Sequence, residues 1–282
     1  EYMIFLKNKH LFFNETKSKI IMKRGKRRRT FSIKKYLITD SKEILEQSYT
    51  QWQNGLIDTF SYLMIINTIT GRTYNDLSQY PVMPWIINDY ETNQINLNNT
   101  KQLRDLTYPI YAQKQEIREH LQNKYQVTDD DPDIKYHCGS HYSNIGFVCY
   151  YLLRVKPFSV TNAQVQGDNF DVSDRLFFDV NAFFKVDEKY QELIPEIFYM
   201  PELFVNVNNF NLGLTSKHEE INFVKLPAWS GGSPRTFCKI MKKSLESRYV
   251  SQHINDWIDL IFGYKQKGTE AEKCCNVLRE VC

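Results

Sequence analysis

At 282 residues, with 42% hydrophobic and 14% aromatic residues, the chain is large enough and apolar enough for a sizeable packed core, which excludes a disordered polypeptide. No apolar run approaches the ~18–20 residues that a membrane-spanning helix needs; the longest, residues 62–66 and 146–153, have the length of buried helices. The formal net charge of +3 hides a division, because residues 1–41 hold twelve Lys/Arg against three Asp/Glu, a net of +9, and leave −6 for residues 42–282. Two regions with different surfaces are expected, residues 1–40 and 41–282. Glu1 is not a start methionine and the opening lacks a secretory leader's organisation, so the sequence is expected to begin inside a longer protein.

The short apolar runs at residues 2–5 and 10–13, split by Lys-Asn-Lys, predict a β-hairpin, and residues 30–38 predict a further strand. From Asp40 onward helices dominate. Asp40 with Glu43 reads as a capping box. Asp58 opens a helix whose Phe60, Tyr62, Leu63, Met64, Ile65, Ile66 and Ile69 surround the axis, which predicts burial on nearly all sides. Ile110, Ile117, Leu121 and Tyr125 space an amphipathic helix from Pro109, and residues 143–154 form another, buried, that closes ahead of Pro157. Ser233-Pro234 is a cap followed by a helix-initiating proline, with Phe237, Ile240, Met241, Leu245 and Tyr249 as the stripe. Ile254, Trp257, Ile258, Ile261 and Phe262 share one face of a helix that Ser251 starts and Gly263 stops. Thr269 with Glu272 caps a last helix. Residues 74–107 and 195–229 show no periodicity, yet they are rich in Trp, Phe, Tyr and Ile, so they are expected as buried extended chain.

Several literal runs go beyond pattern. Residues 257–268 read WIDLIFGYKQKG, residues 52–90 include FSYLMIINTITGRTYNDLSQYPVMPWI, and residues 104–112 read RDLTYPIYA. Residues 136–158 (YHCGSHYSNIGFVCYYLLRVKPF), 192–206 (ELIPEIFYMPELFVN) and 226–251 follow in the same order. The chain resembles the BEACH-domain family, the module of neurobeachin and the Chediak–Higashi protein, from about residue 41 to about residue 276. Trp257, Ile258, Asp259 and Leu260 match that family's signature. The departures include Ile69-Thr70 in place of Leu-Ala, Tyr111 in place of Gly, and Cys138 in place of Tyr. The resemblance implies a mainly α fold with long buried irregular segments. It also suggests that residues 1–40 are part of the PH-like region that commonly precedes such a domain.

No assembled catalytic, cofactor or metal site is visible. Residues 138–143, CGSHYS, put Cys, Ser and His close in sequence, but a nucleophile and its base must meet in space with a third group orienting the base. His141 reads as a buried histidine bonded to backbone, with Ser143 capping the next helix; a hydrolase built on His141 is the rival. His137 and His141 straddle Gly139 and lack a third ligand. The acidic run Asp129, Asp130, Asp131, Asp133 lacks calcium-loop spacing, Asp174-Arg175 reads as a cap and ion pair, and the Gly231-Gly232 loop lacks a phosphate-loop Lys. Cysteines at 138, 149, 238, 274, 275 and 282 show no CxxC and read as reduced thiols of a cytosolic protein. The basic run of Lys23, Arg24, Lys26, Arg27, Arg28 and Arg29 is expected to dock on the net-negative remainder, with anionic lipid second and nucleic acid disfavoured because no aromatic interleaves it. The resemblance then implies a non-catalytic interaction module of a large cytoplasmic scaffold. Such scaffolds act in vesicle trafficking, lysosome and autophagy pathways peripheral to intracellular membranes, with other proteins as partners.

Overall fold

The computed structural model describes residues 33–128, 134–185 and 190–279. Among them the regular elements are α-helices and 3₁₀ turns, and β pairing is confined to isolated bridges such as Met83 with Leu193 and Ile87 with Leu103. The mainly α class therefore holds, without a β-rich unit among these residues. The expected hairpin at residues 2–13 lies outside them. The expected strand at 30–38 is corrected from Ile33 on, because helix α1 spans Ile33–Gln53. Ile33, Tyr36 and Leu37 also satisfy helical spacing, and residues 41–47 (SKEILEQ) are mostly helix formers, so the alternation had a competitor. Asp40 consequently lies inside α1 instead of at its start.

Helix α2 (Thr59–Ile69) lies against α1, with Trp52 stacked on Tyr62 at 5.0 Å. Its first turn is well satisfied: Asp58 accepts from the Ser61 N–H, and Glu246 accepts from the N–H groups of Thr59 and Phe60. Tyr62, Leu63 and Ile66 are buried while Phe60, Met64 and Ile69 are half-buried, so α2 has one packed face instead of burial all round. Helix α3 (Gln115–Val127) is a surface helix starting later than Pro109, which instead precedes a 3₁₀ turn at Ile110–Ala112. Helices α4 (Ile145–Tyr151), α5 (Phe158–Val165) and α6 (Val180–Lys185) follow. Asn144, whose side chain accepts from the Phe147 N–H, caps α4 in place of Ser143.

Helix α7 (Pro234–Leu245) begins as the sequence indicates, with Ser233 accepting from Thr236 and Pro234 in the first turn. Helix α8 (Arg248–Ile261) starts one turn earlier than expected, capped by Ser247. Gly263 is not left-handed; its φ is −109°. A Cβ there would stand 2.7 Å from the Asp259 Cα, so glycine is required by close approach of backbone instead. Helix α9 (Gly268–Lys273) begins at Gly268 with no side-chain cap, which corrects the Thr269 box.

The irregular segments are the core, as expected. Tyr80, Val82, Met83, Trp85, Ile86, Ile87 and Tyr90 of one, and Ile194, Ile197, Phe198, Leu203 and Phe204 of the other, join a single cluster with Trp257, Met241 and Leu245. Extended chain buried without a sheet must place its polar groups individually. Asn67 does this for residue 82, accepting from the Val82 N–H and donating to its carbonyl, both at under 3 Å. Met83 and Leu193 exchange a reciprocal pair of backbone hydrogen bonds.

Candidate interaction surface

The signature residues form structure before they form a surface. Trp257 is completely buried, Ile258 and Leu260 are buried beside it, and Asp259 is half-buried under Gly263. Arg24, Lys26, Arg27, Arg28 and Arg29 lie outside the described residues, as do Asp129 to Asp133 and Cys282. The described cysteines carry free thiols, in agreement with the sequence reading, and Cys138, Cys149, Cys238 and Cys275 are buried.

His141 is only half-buried, and among the described residues no hydrogen bond joins it to Ser140, Ser143, a thiol or the backbone carbonyl that the sequence reading expected. His137 is the buried histidine. Its Nδ1 accepts from the Val277 N–H at 3.2 Å and its ring stacks on Tyr125 at 4.5 Å. Burial, helped by Lys124, pulls its pKa down to about 4, so it is neutral and structural at neutral pH. Asp174 does not pair with its neighbour: it accepts from the N–H and hydroxyl of Ser216, while Arg175 lies 3.6 Å from Asp171.

Two buried arginines hold irregular chain. Arg104 makes a bidentate pair with Glu192, both bonds 2.8 Å, and Glu192 also accepts from the Trp85 N–H. Arg154 has no carboxylate partner among the described residues. It donates to the carbonyls of Asn222 at 2.9 Å and Phe177 at 2.5 Å, and burial lowers its pKa to about 10.

The groups left facing outward differ in kind. Tyr74 and Tyr199 are 41% and 51% exposed, which is unusual for large side chains already packed on aromatic neighbours. Tyr199 meets Phe60 edge-on at 6.0 Å, Tyr74 meets Tyr80 at 5.5 Å, and Tyr74 also donates to the Met64 sulfur. The two hydroxyls are 3.5 Å apart. Behind them lies Glu196, a buried carboxyl whose Oε1 accepts from the Tyr80 hydroxyl at 2.5 Å and whose Oε2 has no partner. Burial pushes the Glu196 pKa up against that bond's pull. Both Tyr74 and Tyr199 are raised chiefly by burial, with the Glu196 charge adding to it. The sequence offered no signal for this patch, since its members come from residues 60–80 and 196–199, stretches 116 positions apart, in pattern-free segments and on the half-buried side of α2.

A cleft of about 570 Å³ opens elsewhere, between the Asn-rich loop at residues 93–98 and the α7–α8 junction, lined also by Trp229, Ile240, Lys243 and Arg248. Glu246 on its wall is committed to capping α2. Among the described residues no cluster of His, Cys, Asp and Glu has a metal-holding arrangement, and no helix is long and apolar enough to cross a membrane.

The architecture defines a class: a shell of helices around a core of extended, non-regular chain stitched by single polar contacts. The Beige/BEACH domain family model matches residues 50–282, and the chain belongs to that family. It is 43% identical over 240 residues to BEACH domain-containing protein B of Arabidopsis thaliana, and 43% identical over 242 residues to Protein SPIRRIG of the same plant. Over 240 residues it is 41% identical to Beige protein homolog 1 of Schizosaccharomyces pombe. These matches cover 82–83% of this chain but only 7–9% of the relatives, so the chain spans less than a tenth of their length.

Proposed function

We propose that this chain is a non-catalytic protein-interaction module of a larger BEACH scaffold in the cytoplasm, peripheral to intracellular membranes. Vesicle trafficking, lysosome and autophagy pathways are the processes in which such a scaffold acts. The observation that carries the reading is the division of labour between groups. The interior arginines and Glu192 serve the fold, whereas the outward-facing chemistry is an aromatic patch at Tyr74 and Tyr199, the kind of exposed surface that recognises a partner. His141, without a hydrogen-bonded nucleophile, gives the hydrolase reading no support.

The test is quantitative capture by the immobilised full chain against a Tyr199→Ala, Tyr74→Ala double variant, alongside ester, phosphate and nucleotide turnover assays. A defined protein set retained by the wild type and lost by the variant is expected, with no turnover. Turnover that vanishes in His141→Ala with folding intact would replace the scaffold by an enzyme. A second reading rests on the Lys23 to Arg29 run, which suits anionic lipid or the chain's own −6 region. Replacing Arg27, Arg28 and Arg29 by Ala and measuring cosedimentation with phosphoinositide vesicles at low and high salt separates the two. Docking within the chain leaves vesicle binding weak in both proteins.

A further inference from the structure

We propose that the outer ridge of α7, where it runs into the cleft beside the Asn-rich loop, receives an extended acidic segment of a partner protein. That segment carries carboxylates at alternate positions and an apolar side chain beyond them. The inference rests on the interaction-module reading above and adds a second surface to the patch at Tyr74 and Tyr199.

Arg235, Lys239 and Lys243 recur at every fourth position of α7, all three are exposed, and the helix contains no acidic residue. That spacing puts them on one face, about 6 Å apart along the axis. Among the described residues no ion pair or hydrogen bond holds the side chains of these three or of Arg248, whereas the neighbouring Lys242 lies 3.4 Å from Asp58. The row works against the free chain. Like charges four positions apart on a helix repel, and Arg235 and Arg248 stand in the first turns of α7 and α8, where the helix dipole disfavours a cation. A bound anion relieves both.

The shape selects the kind of anion. Lys243 belongs both to the ridge and to the cleft of about 570 Å³, so the two are continuous. Among the described residues lining the cleft, Glu246 alone is acidic, and its carboxylate is committed to the N–H groups of Thr59 and Phe60. Lys243 and Arg248 are therefore uncompensated. An extended chain repeats its side chains on one side every ~6.6 Å, close to the spacing of the ridge, so alternate carboxylates meet the three cations in turn. Further along, half-buried Ile95, Leu97 and Ile240 offer an apolar wall. The side-chain amides of Asn93, Gln94 and Asn98, unbonded among the described residues, offer donors and acceptors to peptide backbone. A nucleic-acid strand would need open rings for its bases, and the one ring lining the cleft, Trp229, is buried and stacked on Phe237 at 5.4 Å. A flat membrane would meet the ridge and leave the cleft unused.

The full chain is titrated against two rhodamine-labelled peptides of equal composition and charge, LSESESESL and LSSEEESSL, with fluorescence anisotropy as the readout. Leucine at both ends lets either chain direction place one in the cleft. The expected result is saturable binding of the alternating peptide, at least about fivefold tighter than of the blocked one, and weakened by salt. In the Lys239→Gln, Lys243→Gln double variant that binding falls about tenfold or more. Both lysines are exposed and the repulsion along α7 is relieved, so thermal unfolding of the variant reports an intact fold. Equal binding of the two peptides, binding that survives the double variant, or no binding at all overturns the proposal. Retention of phosphatidylserine vesicles or of an oligothymidylate strand without peptide binding overturns it too, and moves the ridge to a membrane or a nucleic acid. Each of these leaves partner capture through Tyr74 and Tyr199 free to succeed.

Discussion

Arg104 is the side chain on which the most structure depends, because its guanidinium joins the segment before α3 to Glu192, 88 positions away. Removing one member of such a buried pair strands the other's charge, which costs roughly 3–5 kcal/mol. Arg104→Met is expected to lower the urea midpoint accordingly. The Arg104→Met, Glu192→Leu double variant should recover much of the loss but not all, since the Trp85 N–H then lacks its acceptor. An additive double-mutant cycle would mean that the pair is not coupled. The arginine was legible through its place in the RDL run, but its partner was not: pairing across 88 residues leaves no periodic trace. The positions that depart from the family pattern also become intelligible only in space. Tyr111 and Cys138 sit in one small cluster with Cys275, where the Tyr111 hydroxyl donates to the Cys275 carbonyl at 2.6 Å.

Helix ends were the least legible part of the elements and helix faces the most. The stripe of α8 was readable because burial imposes its spacing, and Ile254, Trp257, Ile258 and Ile261 are all buried. Its caps were not, since both Ser247 and Ser251 satisfy the same local rule, and it is Ser247 that accepts from the Val250 N–H. The same ambiguity placed Ser143 where Asn144 acts. Trp257→Ala is expected to cost ~3–5 kcal/mol and render the protein poorly soluble, whereas Trp257→Phe costs about 1 kcal/mol, because the indole N–H has no partner to lose. Unchanged thermal unfolding in Trp257→Ala would make the signature a recognition surface. At the other end of α8, Gly263→Ala must push the Asp259 backbone aside, and differential scanning calorimetry should show a lowered Tm for so small a change.

For the molecule as a whole, the helix-dominated class followed from the spacing of apolar residues and from the family resemblance, and the burial of the aperiodic segments from their composition, because that much Trp, Phe and Tyr must be inside. The candidate site followed from nothing local, since Tyr74 and Tyr80 meet Tyr199 and Glu196, at least 116 positions away, only once the core has closed. Acid sensitivity belongs to this scale as well. His137 binds its proton near pH 4 when folded and near 6.5 when unfolded, so between those values the unfolded state holds more protons. Stability should therefore fall as pH drops from 6.5 and level off below 4. In His137→Asn, whose side-chain carbonyl can still accept from Val277, the slope measured by urea unfolding across that window should be shallower than in the wild type. The bonds of residues 275–277 to Tyr111, His137 and Leu260 have a further consequence during synthesis. Residues 104–142 emerge from the ribosome well before those partners exist, with their apolar groups already made. Closure waits for long-range pairing, which is slow, so those apolar groups stay uncovered during synthesis until residue 277 has cleared the exit tunnel.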